Sequence, residues 1–248
     1  MTRIVAVANQ KGGVAKTTTA TTVAAALVES GHRVLLVDLD PQACATFSLG
    51  IDPEDLPVES PRNYLAGQTD APITSTEDGI DLLPATIDLA SADHTFAGTA
   101  GRERLLAEAI APLKDSYEFI LVDCSPSLGL LTINALVAAD EVLVPLKCET
   151  LSHRGMGQLM EAIDEVRRWA NPDLRVAGIV PTHFDGRTSH AQAILADLGP
   201  RYEVPVFDAI PRSIRFAEAP AVGRTILATA PRSRGAAAYR KVAQALAS

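Results

Sequence analysis

Asn9-Gln10-Lys11-Gly12-Gly13-Val14-Ala15-Lys16-Thr17-Thr18 decides the fold. Before it runs Ile4 to Ala8, apolar enough to read as a buried strand. After it runs Thr19 to Ser30, rich in Ala, Val and Leu, which reads as a helix. Strand, glycine loop, Lys-Thr and helix is the order of a phosphate-binding loop. Gly12 and Gly13 let the backbone turn tightly, so that successive N–H groups, Val14 and Ala15 included, converge on phosphate oxygens. The helix N-terminus adds partial positive charge there. In this pattern Lys16 reaches the β- and γ-phosphates, the Thr17 hydroxyl meets Mg²⁺, and Thr18 follows on the first turn. The usual G-x-x-x-x-G-K-[ST] spacing is not met, because Gln10 and Ala15 stand where its glycines belong. Lys-Gly-Gly-x-x-Lys-Thr is present instead, with a second lysine ahead of the glycines.

The rest of the chain alternates strand and helix signals. Arg33–Asp38 and Phe119–Asp123 are apolar strands that end in acid. Gly79–Leu83, Glu141–Leu146, Val176–Val180 and Val204–Ile210 complete the strand set. Helical periodicity covers Arg102–Leu113, Leu128–Ala138, Ser152–Trp169, His190–Leu198 and Gly235–Ala247. Residues 50–79, rich in Pro, Asp and Ser, read as a surface excursion with one short helix near Asn63–Ala66. Pro211 and Pro220 bracket a helical turn. The fold class is α/β, a doubly wound, mostly parallel sheet with helices on both faces. Without a repeat or an interdomain linker, residues 1–248 read as one domain.

Open parallel sheets place ligands at the C-terminal ends of their strands. Asp123 after four apolar residues is a Walker B arrangement, able to hold Mg²⁺ directly or through water. Asp38-Leu39-Asp40-Pro41-Gln42 caps another strand, and its two carboxylates can reach one site. Cys44, Cys124 and Cys148 are odd in number and widely spaced, which argues against disulfides or zinc and for a reducing cytoplasm. His32, His94, His153, His183 and His190 lack metal-ligand spacing and read as surface residues. No apolar run approaches the ~18 residues of a membrane span.

The net charge of −8 conceals an asymmetry. Residues 1–186 hold 13 Lys/Arg against 26 Asp/Glu, whereas residues 187–248 hold nine against four, and eight of those nine are arginines. A basic quarter on an acidic body is an electrostatic footprint for nucleic acid, and it equally describes a solvated helical face.

The loop with its leading lysine resembles the deviant Walker A loop of the ParA/MinD family of P-loop ATPases. The resemblance implies ATP and Mg²⁺ as cofactors and an ATP-dependent sandwich homodimer, with Lys11 reaching the partner's phosphates. Catalysis would then rest on Lys11, Lys16 and Asp40, Asp40 orienting the attacking water and Asp38 supporting it. Most members carry Gly at the Ala15 position; only an N–H is needed there while φ is negative, so alanine is expected to fit. Cys124–Gly129 matches the second switch segment of the family. Pro181–Thr188, Ile210–Pro220 and Pro231–Gly235 with Tyr239 are similar to chromosomal ParA/Soj proteins. This narrower likeness implies that the Pro211 segment packs on adenine with Ser213, and that Arg187 and Arg215 contact DNA. It further implies nonspecific double-stranded DNA and a ParB-like protein as partners, and a nucleoid-associated location. Two other readings stay open: a MinD-like membrane ATPase, for which the Ala-rich end is a poor anchor, and a metabolic P-loop ligase, which leaves the arginines unexplained.

Overall fold

A computed structural model describes residues 2–57, 60–149 and 152–248. Val58 and Glu59, in the middle of the 50–79 excursion, lie outside them. In chain order the elements are β1 (Arg3–Val7), α1 (Lys16–Glu29), β2 (Val34–Leu39), α2 (Cys44–Ser48), α3 (Ser60–Leu65), β3 (Thr74–Ser75), β4 (Asp81–Leu83), α4 (Ala92–Thr95) and α5 (Leu105–Ile110). Then follow β5 (Phe119–Cys124), α6 (Leu130–Ala138), β6 (Glu141–Lys147), α7 (Ser152–Trp169), β7 (Arg175–Thr182), α8 (Ser189–Tyr202), α9 (Arg215–Glu218), α10 (Ile226–Thr229) and α11 (Arg234–Ala247).

The strands form one sheet in the order β3-β4-β2-β5-β1-β6-β7. Short β3 pairs antiparallel with β4, and the remaining ladders are parallel. Alternation along each strand sends side chains to opposite faces. Ile4 and Ala6 pack among α6 and α7 on one face. Val5 and Val7 pack among α1 and α11 on the other. Both faces are covered, so central strands such as β2 and β5 are buried along their whole length and read as near-continuous apolar runs. β1 lies between β5 and β6, so its loop opens beside the acidic end of β5.

Three sequence expectations need correction. Val204–Ile210 is not a full strand. It runs beside β7 with one parallel bridge, Ile179 to Val206, and with hydrogen bonds from Ile179 N to Pro205 O (2.8 Å) and from Phe207 N to Ile179 O (2.9 Å). Pro205 and Pro181 have no N–H to continue the ladder. Only glycine fits at position 178, since a Cβ there would lie 2.7 Å from the Phe207 ring. The Arg102–Leu113 helix is α5 flanked by 3₁₀ turns at Arg102–Arg104 and Ala111–Ser116, because Pro112 cannot donate to the preceding turn. Leu106 and Ile110 still face the core. Third, α2 and α10 were not foreseen, being too short for periodicity to register.

Candidate functional site

The phosphate loop is drawn over the end of β1 by side chains that bond its backbone. Asn9 Nδ2 donates to Pro145 O (2.7 Å), while Asn9 Oδ1 accepts from Lys11 N (3.0 Å). Thr182 Oγ1 donates to Val14 O (3.0 Å), tying the loop to the end of β7. Gly13 has φ 68°, as its position requires. Ala15 has φ 67° and ψ 38°, which overturns the expectation of negative φ. An L-residue in that region costs roughly 1–2 kcal/mol, so alanine is held there against its preference.

Lys16 is buried, and its ammonium curls back to Lys11 O at 3.3 Å, across the hollow of the loop. Burial pushes its pKa down, and the nearby carboxylate of Asp123 opposes that shift. Lys11 instead points along its own chain: Nζ lies 3.0 Å from Glu149 Oε2, while Lys147 holds the other oxygen at 3.2 Å. These two lysines keep the Glu149 carboxyl below its ordinary pKa.

Two acids meet at the strand ends because β2 and β5 pair Asp38 with Asp123. Asp38 is buried, and accepts from Thr46 N (2.8 Å), Thr46 Oγ1 (2.7 Å) and Asp40 N (3.2 Å). Burial nevertheless raises its pKa to about 6. Asp123 is fully buried, and neither carboxylate oxygen has a hydrogen-bond partner. Its pKa is raised by burial and then by the charge of Asp38, against the pull of the Thr17 hydroxyl and Lys16. An orphaned buried carboxylate beside a threonine hydroxyl fits a Mg²⁺ site, which usually takes one or two carboxylates with phosphates and water. No cluster of three or more His, Cys, Asp or Glu suited to a metal occurs among the described residues. Asp40 is half-buried; its Oδ1 caps Gln42 N (3.0 Å), and its other oxygen makes no hydrogen bond among the described residues.

On the other side of the loop lies a cavity of about 330 Å³. Gly13, Ala15 and Thr18 form one wall, and Pro211, Ser213 and Phe216 another. The structure thus brings Pro211 and Ser213 to the phosphate loop. Sequence reading missed His183, Phe216 and Tyr239, which also line the cavity. His183 has φ 51°, and burial lowers its pKa. Its place immediately after β7 was the available signal, by the same strand-end rule. Tyr239 OH bonds Thr19 Oγ1 at 2.9 Å, locking α11 to α1 at the cavity floor.

The basic quarter is largely neutralised within the chain. Arg187 grips Asp185 with two bonds (2.9 and 2.7 Å), which hold that carboxyl down at about 2. Arg215 reaches Glu218 at 2.9 Å. Among the described residues Arg212 and Arg234 make no ion pair, and with Arg187 they line an open cleft of about 610 Å³. Pro211 borders both this cleft and the cavity by the phosphate loop.

A family model described as an AAA domain matches residues 2–176. The chromosome-partitioning ATPase Soj of Thermus thermophilus is 46% identical over 98% of this chain and 94% of its own. The chain belongs to the ParA/Soj family of P-loop ATPases. The sporulation initiation inhibitor Soj of Bacillus subtilis is 40% identical over 100% of this chain and 99% of its own. A Mycobacterium smegmatis structure described as cobyrinic acid a,c-diamide synthase with bound ATP analog and magnesium superposes with a TM-score of 0.90. It is 48% identical, covering 100% of this chain and 94% of that one. Among the described residues no helix is long and apolar enough to cross a membrane. The last helix, α11, buries Ala236, Tyr239, Val242 and Leu246 in the core, so that apolar face is unavailable to a lipid surface.

Proposed function

We propose that this ParA/Soj family member is a DNA-partitioning ATPase that binds nonspecific duplex DNA as an ATP-dependent homodimer and releases it on hydrolysis stimulated by a ParB-like partner. The observation that carries the nucleotide half is the orphaned Asp123 carboxylate facing Thr17 and Lys16 beneath the glycine loop. Mg²⁺ held by Asp123 and Thr17 offsets phosphate charge when MgATP is bound. Backbone N–H groups of Gly12 to Thr18 cradle the phosphates, Lys16 neutralises them, and the base lies against Pro211 and Ser213. Asp40 turns its unbonded oxygen toward water at the γ-phosphate. Lys11 leaves Glu149 and crosses to the partner protomer's phosphates. That exchange of one ion pair for another is inexpensive, because exposed pairs contribute about 0–1 kcal/mol.

For DNA, Arg187 and Arg215 are the contacts the family likeness assigns. Arg212 and Arg234 join them because they share the cleft with Arg187 and, among the described residues, make no ion pair. Pro211 backs onto the nucleotide cavity, which supports a dependence of this cleft on ATP.

Separate variants test the division of roles. Lys16→Ala should lose ATP binding. Lys11→Ala should bind ATP as a monomer without turning it over, and Asp40→Ala should dimerise with ATP and hydrolyse very slowly. Equal loss of ATP binding in the two lysine variants removes the crossing role of Lys11. The ligase reading has the M. smegmatis likeness in its favour. ATP turnover that needs a carboxylate substrate and ammonia, and ignores DNA and partner, would establish it instead.

A further inference from the structure

We infer that a groove beside the second switch segment, centred on Trp169, is the surface on which the hydrolysis-stimulating partner docks. The occupant is a partner segment that presents a bulky apolar side chain next to a lysine or arginine. The inference rests on the partner-stimulated reading above and adds the surface and its chemistry. The groove measures about 390 Å³ and is lined by Asp93, Leu128, Gly129, Ile133, Glu165 and Trp169, among others. It lies on the α6–α7 face of the sheet, away from the face covered by α1 and α11.

Three observations define the occupant. Trp169, at the end of α7, is 48% exposed with apolar Leu128, Ile133 and Val166 around it. Large aromatics set in a pocket are the usual anchors of protein interfaces. Second, the charge left over in the groove is negative. Arg102 is taken by Glu103 at 3.1 Å, while Glu165 and Asp93 make no ion pair among the described residues. A cation beside the apolar anchor matches that remainder, and an acidic segment would be repelled.

The third observation connects the groove to the nucleotide site. Asp93 Oδ1 accepts from Leu130 N at 3.2 Å, so a residue of α4 caps α6 directly after the switch segment. Its Oδ2 lies 3.1 Å from where a side chain on Gly129 would start. Behind that cap, Thr132 Oγ1 holds Ser127 O at 2.6 Å, and Ser125 Oγ meets Ser127 Oγ at 3.1 Å. Ser125 is two residues from Asp123. An incoming ammonium or guanidinium that engages Asp93 competes with Leu130 N–H for the same carboxylate. It therefore acts on the segment that runs to the metal-binding acid.

Trp169 is the chain's only tryptophan, so its emission reports the groove without a label. The probe is a purified ParB-like protein from the same organism, titrated against the ATPase with MgATP and duplex DNA. The expected result is a saturable shift of Trp169 emission in the wild type. Stimulation should be weakened about tenfold or more in Glu165→Lys and in Trp169→Ala. Their unstimulated turnover, DNA binding and thermal midpoints should match wild type. A matched charge change at exposed Glu54, Glu54→Lys, should keep full stimulation. Undiminished stimulation of both groove variants overturns the docking assignment and leaves the partitioning reading standing. Wild type that the partner does not stimulate at all removes that reading and the groove with it. An emission shift that follows ATPase concentration without partner makes the groove a contact between copies of this chain, and also overturns the inference.

Discussion

At the scale of single residues, two positions hold unfavourable states at the nucleotide site. Ala15 is in the left-handed region at the start of α1, and its side chain makes no capping hydrogen bond. Ala15→Gly removes a penalty of roughly 1–2 kcal/mol and adds about 0.4–1 kcal/mol of unfolded-state entropy, so it should stabilise by about 0.5–1 kcal/mol. Urea unfolding without nucleotide measures it, and a loss of stability would mean the Ala15 methyl packs favourably. Asp123 is the second position, a buried carboxylate with two unbonded oxygens. Its folded pKa is raised, so the folded protein keeps a proton that the unfolded chain has shed, and stability falls as pH rises above the ordinary carboxylate range. Asp123→Asn should therefore stabilise the nucleotide-free protein by on the order of 1–3 kcal/mol at pH 8 and much less at pH 5. It should abolish Mg²⁺-dependent turnover. Equal stability of the two proteins at pH 8 would show that another group compensates Asp123. Sequence reading found this acid from its strand alone. It could not find the geometry at Ala15, because φ at one loop residue is set by the tertiary frame.

At the scale of elements, the long, strongly patterned pieces were legible and the short ones were not. The bounds of α7 follow from its apolar spacing, with Met156, Leu159, Ile163 and Val166 fully buried. α2 has five residues and no period to read, yet it joins the site to the surface. Thr46, on α2, donates both N–H and hydroxyl to Asp38. Just beyond its end, Gly50 lies against Gly223, where a Cβ on Gly223 would come 2.6 Å from Gly50 Cα. Gly223 ends the turn that follows α9, the helix that carries Arg215. Gly223→Ala must push the two backbones apart and also adopt φ 66°. Gly31→Ala, at φ 91° with open space around it, has the conformational cost alone and serves as its control. Gly223→Ala should lose more stability than Gly31→Ala, by about 1–3 kcal/mol as overpacking does. Thermal and urea unfolding of both variants decide it, and equal losses would show that the glycine contact yields freely.

For the whole molecule, the charge asymmetry is real in sequence, but ion pairing within the fold decides how much of it DNA can use. Arg215 illustrates the problem, since Glu218 already holds it at 2.9 Å with both side chains more than half exposed. Such a pair contributes under about 1 kcal/mol to folding, so breaking it changes stability little. Each phosphate neutralised on duplex DNA steepens the log–log salt dependence of binding by about 0.9, and a two-fold dimer doubles every contact. Arg212→Ala, at a position that makes no ion pair among the described residues, should thus reduce the slope of the ATP-bound dimer by about 1.8. Arg215→Ala should reduce it by less, because Glu218 already neutralises part of the Arg215 charge, so that contact releases fewer counterions from the DNA. Glu218→Gln frees Arg215 and should tighten binding to all sequences alike. In an Arg215→Ala background the same glutamine should have a smaller effect, as interacting neighbours show in a double-mutant cycle. Fluorescence anisotropy of duplex DNA across a salt series, with ATP and with ADP, measures the wild type and the four variants. If Glu218→Gln tightens binding equally in both backgrounds, the gain is a general loss of negative charge and Arg215 touches no phosphate. If wild type binds equally tightly with ADP, the dimer does not assemble the surface, and the arginine cleft cannot serve as an ATP-gated DNA site.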